Sequence, residues 1–342
     1  MKVGILSGGG DAPGINAVIR AVVRKAIKHY GYDTVGVKNG WRGLIEGDFI
    51  PLGLNEIHGI LPRGGSILGT SRTNPFKHEG GTQKILKNVE EKGVDALVVI
   101  GGEDTLGVAY KLYEMGLPCV GVPKTIDNDL VGTDYTFGFN TAVSIATETL
   151  DRLHTTAEAH HRVMILEVMG RYTGWIALEA GLAGGADVIL IPEKPFDIDE
   201  VCEYIKQRQK RGINFSMVIV AEGAKPKECE EIIYGDGKDE FGHVRLGGIG
   251  YHLGKEIEKK TGIETRVVVL GHLQRGGSPT AFDRILATRY GIAAIDLVHE
   301  GKFGRMVAIQ GNKLASVPLK DVAGKRKTVD LKLYEIASVF FG

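Results

Sequence analysis

Cysteine is nearly absent. The chain has three in 342 residues, Cys119, Cys202 and Cys229, too far apart for a disulfide framework or for metal-ligand spacing. They read as buried or incidental thiols. Net charge is absent as well, because 42 Lys plus Arg balance 42 Asp plus Glu. With no overall field to draw in nucleic acid or an anionic membrane, neither is expected as a partner. No apolar run approaches the roughly 20 residues of a membrane helix, and Met1–Leu6 enters a strand with no signal-peptide pattern. The expected setting is soluble and cytoplasmic. Two nucleotide signatures are also missing. The four Gly-Lys pairs are never followed by Ser or Thr, so there is no Walker A lysine, and the first glycine loop is spaced G-x-G-x-x-x-G rather than G-x-G-x-x-G. That spacing argues against a dinucleotide-binding dehydrogenase.

Glycine is abundant, at 49 residues about twice the usual share, while proline is scarce at 11. Without low-complexity tracts, such an excess suggests tight strand-to-helix turns where backbone approaches a ligand. The length suits two domains, each with its own core.

The chain alternates strands and helices, which predicts parallel-sheet α/β architecture. Strand Val3–Leu6 leads through Ser7–Gly14 into a helix over Asn16–Lys28, a phosphate-binding arrangement of bare N–H groups and helix dipole. Arg63–Arg72 is a flexible loop with two guanidiniums. Ala96–Ile100 is a strand covered on both faces, ending in Gly101-Gly102-Glu103-Asp104. Two acids there suit a metal–phosphate site, since Mg²⁺ takes one or two carboxylates plus substrate oxygens; they also suit an acidic first helical turn.

A short strand, Cys119–Val122, precedes Lys124-Thr125-Ile126-Asp127-Asn128-Asp129, so these polar residues are expected just past its carboxyl end, where open α/β sheets bind ligands. Asp-Asn-Asp is turn chemistry. Two carboxylates behind a lysine also suit a phosphoryl group. Later predicted elements are a helix over Asn140–His154, strand Val163–Val168, strand Val188–Ile191, helix Ile198–Lys210, strand Ser216–Val220 ending in Glu222, and strand Arg266–Leu270. An inserted hairpin or excursion is expected over 225–245, around Gly235-Asp236-Gly237-Lys238-Asp239. His160 and His161 are adjacent and point apart, so they read as structural. His272 is the better candidate for a ligand contact.

Five blocks in order resemble the phosphofructokinase family, from the first strand to about residue 300. They are Gly8–Asn16, the Arg72 loop, Thr125–Asp129, Glu167–Arg171 and Gly271–Gly277. The resemblance implies two Rossmann-like three-layer αβα domains with largely parallel sheets and the active site in the cleft between them. Residues 1–138 with about 274–324 would hold the donor, and 139–273 with about 325–342 would hold fructose 6-phosphate.

The implied reaction is phosphoryl transfer to the 1-hydroxyl of fructose 6-phosphate. Carried over by position, Asp127 matches the general base, Asp129 the acid beside it, and Thr125 a contact to substrate or transferring group. Gly10 and Arg72 match donor-phosphate contacts. Met169, Gly170, Arg171, Glu222, His272 and Arg275 match the sugar-phosphate pocket, with Glu222 expected to be buried. Arg162 and Arg266 match arginines that reach the 6-phosphate from a neighbouring subunit of a homodimer or homotetramer. Mg²⁺ is the implied cofactor, with Glu103 as its contact where many members have aspartate. Members that use ATP typically have glycine at the positions of Asp104 and Lys124. Here an aspartate repels an α-phosphate and fills its space, while Lys124 adds a point charge for a compact donor. The pair resembles the pyrophosphate-dependent branch.

Overall fold

The computed structural model describes residues 1–227, 233–238, 241, 244–246 and 248–342. Cys229 and Asp239 lie outside them. Ala96–Gly101 is buried at every residue, as an uninterrupted apolar run requires. Its side chains divide by parity, with Ala96, Val98 and Ile100 entering one core and Leu97 and Val99 another. Strand Lys2–Ser7 divides likewise, Val3 and Ile5 opposite Leu6. Each valine, leucine or isoleucine so buried stabilises the fold by roughly 1.5–3 kcal/mol. Helices Ile15–Tyr30 and Ala281–His299 supply Val18, Val22, Leu286 and Tyr290 to the first core. Helices Gly40–Glu46, Gly81–Glu91 and Glu103–Glu114 supply Trp41, Ile85 and Leu106 to the second. The result is a three-layer αβα unit.

The chain divides into two compact units. Among the described residues, the first holds Met1–Asn140, Phe241 and Arg275–Arg326, and the second holds the remainder. The first unit's sheet has eight strands, in the order Lys313–Pro318, Arg305–Gln310, Cys119–Thr125, Ala96–Gly101, Lys2–Ser7, Asp33–Val37, Phe49–Pro51, with the two-residue Phe137–Gly138 beside Cys119–Thr125. Its interior pairs are parallel, and each end finishes in an antiparallel pair. Chain order reverses between Lys2–Ser7 and Ala96–Gly101, so the crevice beyond their carboxyl ends is the switch point at which such sheets take ligands.

The second unit is built on four parallel strands, in the order Thr265–Val269, Val163–Val168, Ser216–Ala221, Val188–Leu190. Helices Ile198–Lys210 and Ile249–Thr261 cover one face, bringing Val201 and Leu253 onto Val163, Ile165, Val218 and Val220. Helix Trp175–Ala183 closes on the other face, where Gly181 leaves room for Ile189 and Ile219. Ile233–Lys238 and Val244–Leu246 form an antiparallel pair, the hairpin expected of the insertion. No helix among the described residues is long and apolar enough to cross a membrane.

Three expectations need correction. The strand entered at Cys119 runs to Thr125, so Lys124 and Thr125 belong to it rather than following it. The helix expected over Asn140–His154 extends over Phe139–His160. The loop Arg63–Arg72 is pinned: Asn16 donates to the carbonyls of Arg63 and Gly64 and accepts from the Ile67 amide, while Ser7 bonds Ser66 and the Gly69 carbonyl.

Candidate active site

At the switch point of the first unit, the Gly8–Gly10 loop is held by its neighbours. The Gly8 amide donates to the Ile100 carbonyl at 3.0 Å and the Gly9 amide to the Ser71 carbonyl at 3.0 Å. The Thr70 hydroxyl donates to the Gly9 carbonyl at 2.6 Å. These bonds set the exposed Arg72 beside the glycine loop. Gly10 carries no side chain for a steric reason: a Cβ there would lie 1.6 Å from Nη1 of Arg275, whose guanidinium is packed over the backbone. Arg275 therefore belongs with the glycine loop in this unit.

Lys124 enters from the adjacent strand. It is 4% exposed, and its ammonium donates to the Gly10 carbonyl. Its pKa is lowered to about 7, first by burial and then by the Arg275 charge, with Arg72 adding a smaller push; Asp11 and Asp127 oppose the shift. Near neutrality this lysine is thus poised between charged and neutral forms.

The Thr125–Asp129 turn displays two carboxylates. The Asp127 amide donates to the Thr125 hydroxyl at 3.1 Å. Asn128 lies between them with φ of 51°, a left-handed conformation that asparagine tolerates better than most residues. Its buried side-chain oxygen accepts the Thr136 amide at 3.1 Å, and the Thr136 hydroxyl donates to the Thr125 carbonyl at 2.7 Å. Turn chemistry and site chemistry therefore coincide. The Asp129 carboxyl is held above the usual carboxylate range by burial and by the negative charge of Asp127, against hydrogen bonds from backbone and Thr125 and the charge of Arg326.

Glu103 and Asp104 open helix Glu103–Glu114, and both are half-buried. The Glu103 carboxylate accepts the Gly324 amide at 3.0 Å, and its other oxygen lies 3.5 Å from Nη2 of Arg326. Neither partner was evident from sequence, although Lys325-Arg326-Lys327 is a visible basic run. Among the described residues no three acidic, histidine or cysteine side chains gather into a metal cage. A Mg²⁺ that draws most of its ligands from phosphate and water needs only one or two carboxylates. Glu103 supplies one such carboxylate at a strand's carboxyl end, its oxygens here engaged by the Gly324 amide and the Arg326 guanidinium, which a cation would have to displace.

In the second unit the ends of three neighbouring strands meet. The Glu222 amide donates to the Val168 carbonyl at 2.8 Å, and the Gly223 amide to the Gly170 carbonyl at 3.1 Å. A side chain at Gly223 would strike the Arg171 carbonyl at 2.0 Å, so the Met169–Arg171 loop lies directly on this backbone. Glu222 is half-buried, less enclosed than expected. Arg171 places its guanidinium 5.9 Å from the Tyr172 ring centre, and its Nε is buried with no hydrogen-bond partner among the described residues. Such a donor is suited to a ligand oxygen.

Two residues missed from sequence hold this region. Gln274, fully buried, accepts the Met169 amide at 3.2 Å and donates to the Gly271 carbonyl at 3.0 Å. The buried Glu167 accepts the amides of Gly248 and Gly250, capping helix Ile249–Thr261. His272 is exposed on the Gly271–Arg275 turn. His160 ends its helix and His161 follows with φ of 53°.

Arg162 and Arg266 sit at the other end of these strands. Arg162 Nε donates to one oxygen of Glu264 at 2.6 Å, and the Arg266 guanidinium binds the other. A six-residue strand separates Arg162 from Met169, roughly 23 Å from one to the other at about 3.3 Å per residue. The two arginines are therefore remote from the Met169–Arg171 loop of their own unit.

Comparison with known proteins bears on both units. Residues 2–298 match the family model described as phosphofructokinase. A pyrophosphate–fructose 6-phosphate 1-phosphotransferase of Streptomyces coelicolor is 59% identical over 343 residues, covering 100% of both chains. An ATP-dependent 6-phosphofructokinase of the same organism is 52% identical over 329 residues, covering 96% of each. Among solved structures, a pyrophosphate-dependent phosphofructokinase from Marinobacter aquaeolei superposes with a TM-score of 0.84 at 25% identity, over 97% of this chain and 86% of that one.

Proposed function

The chain belongs to the phosphofructokinase family, and from that premise we propose that it transfers a phosphoryl group from pyrophosphate to the 1-hydroxyl of fructose 6-phosphate. The products are fructose 1,6-bisphosphate and inorganic phosphate. The observation that carries the donor side is the set of cations around Gly10, with Lys124 on its carbonyl, Arg275 over its Cα and the charge of Arg72 near enough to act on Lys124. Phosphoryl transfer asks mainly for in-line positioning and charge neutralisation, and this cluster offers both to a compact polyanion.

The hydroxyl oxygen bonds to phosphorus as the bridging P–O bond breaks, phosphate departs, and Asp127 accepts the hydroxyl proton. Thr125 holds the turn through the Asp127 amide and its bond to Asp129. Mg²⁺, held by Glu103, would neutralise charge on the phosphate oxygens. Arg171, Met169, Gly170, Glu222 and His272 serve the sugar phosphate, and the buried Nε of Arg171 supports that reading. Arg162 and Arg266, at the far strand ends, serve the 6-phosphate of a neighbouring subunit in a homodimer or homotetramer. With phosphoanhydride chemistry consumed and no nucleotide formed, the reaction runs readily in both directions.

Asp104 carries the choice between donors. An aspartate in the first turn of helix Glu103–Glu114 meets an α-phosphate with like charge, and pyrophosphate has none. A coupled assay of fructose 6-phosphate and Mg²⁺ with either donor tests the reading; turnover with ATP alone would replace it with an ATP-dependent kinase, as in relatives about 50% identical. The double variant Asp104→Gly, Lys124→Gly is expected to raise kcat/KM for ATP by about 10–100-fold. An unchanged donor ratio would remove charge and volume at these positions as the cause.

Gly10→Ala separates site geometry from folding. The obstructing atom is the mobile end of Arg275, so the cost in stability should stay below about 1 kcal/mol. Moving that guanidinium is expected to lower kcat/KM for pyrophosphate by about tenfold or more. Steady-state kinetics together with a thermal melt read both quantities.

A further inference from the structure

The family match ends at residue 298, yet a segment beyond it returns to the first unit's site. The Gly324 amide fixes this segment to one oxygen of Glu103 at 3.0 Å, a backbone bond that places the chain. Two residues on, Arg326 faces the other oxygen at 3.5 Å, with its side chain 35% exposed. That distance lies at the outer limit of a hydrogen bond, so the contact to Glu103 made by the guanidinium is weaker than the one made by the backbone. Its charge also reaches Asp129. Of the cations flanking it, Lys325 is exposed, and Lys327 lies 5.3 Å from the Trp175 ring centre. Only Arg326 of the three is directed at Glu103.

We propose that Arg326 is a donor-binding residue: when a phosphate donor and its cation occupy the site, the guanidinium leaves Glu103 and takes a phosphate oxygen. The inference rests on the donor reading above and extends it to a residue outside the family's matched region. In the donor-free protein Arg326 neutralises Glu103. When a divalent cation takes that carboxylate, the guanidinium stands beside an anion whose oxygens match its fork. A donor without adenosine makes all its contacts through phosphate, so one more guanidinium matters more to it than to a nucleotide.

The test is pyrophosphate binding to the full-length protein by calorimetry with Mg²⁺, beside steady-state kinetics, for Arg326→Gln and Arg326→Lys. In Arg326→Gln the dissociation constant and KM for pyrophosphate are expected to rise about tenfold, with KM for fructose 6-phosphate within twofold; Arg326→Lys should recover part of the loss. If Arg326 only fastens the segment, the Gln variant will melt lower and move both KM values alike, which overturns the proposal. Unchanged pyrophosphate affinity in Arg326→Gln overturns it too, even where the wild type turns pyrophosphate over. Conversely, wild-type protein that binds pyrophosphate through Arg326 but transfers phosphate only from ATP would remove the functional reading and leave this one standing.

Discussion

Asp127→Asn is expected to lower kcat by about 10²–10⁴-fold, the range supplied by a positioned general base. KM for fructose 6-phosphate should change little. The substitution keeps volume and hydrogen-bonding shape, and the turn is held by the Asp127 amide and by Asn128 and Thr136. Loss of activity would therefore report loss of a proton acceptor rather than loss of the fold. A second effect follows from charge. The Asp127 carboxylate raises the pKa of Asp129, so removing it lowers that pKa, and any acidic limb due to Asp129 moves to lower pH. A pH profile of the residual rate measures this, while a decrease in kcat of less than tenfold would remove Asp127 from the role of base.

Lys124→Met should make the protein more stable and nearly inactive with pyrophosphate. In the fold this lysine titrates at about 7, well below the roughly 10.4 of an unfolded chain. Below pH 7 the folded protein carries the full penalty of a buried ammonium. Between about pH 7 and 10 the unfolded chain binds the extra proton, so wild-type stability rises with pH across that window, and the penalty is gone above it. Methionine fills similar volume without a charge. It forfeits the bond to the Gly10 carbonyl, a loss of about 1 kcal/mol. A net gain of about 1–3 kcal/mol at pH 6.5 is expected, shrinking toward pH 9.5. Urea unfolding at the two pH values checks the sign; a destabilised variant at pH 6.5 would mean that the ammonium is well solvated. Donor kcat/KM should fall by about 10²-fold or more, since the charge nearest Gly10 is lost.

The strands carrying the chemistry were legible because Ala96–Ile100 and Cys119–Val122 are apolar runs that stop at glycine and polar residues. Parity of burial along them follows from strand geometry alone. The extension through Lys124 was not legible: a charge normally ends an apolar pattern, and its burial is made tolerable by the carbonyl of Gly10, more than a hundred residues earlier in the chain, together with the charges of Asp11 and Asp127. The motif residues Asp127, Arg171 and Glu222 could be named, but not their supports. Gln274 and Glu167 act through backbone amides, which sequence patterns do not display. Arg326 sits in a basic run that reads as a solvated surface, and its partner Glu103 is 223 positions away. The antiparallel edges of the first sheet were missed because Phe49–Pro51 has only three residues and Lys313–Pro318 has no buried residue to set up an apolar pattern.

Glu167 ties together more than its size suggests. Its carbonyl accepts the Leu270 amide while its carboxylate accepts Gly248 and Gly250. One buried residue thus clamps a strand end, the approach to the His272 turn and the start of a helix. Those three segments share a single local-opening equilibrium, so their amides should lose protection against solvent exchange together and not one by one.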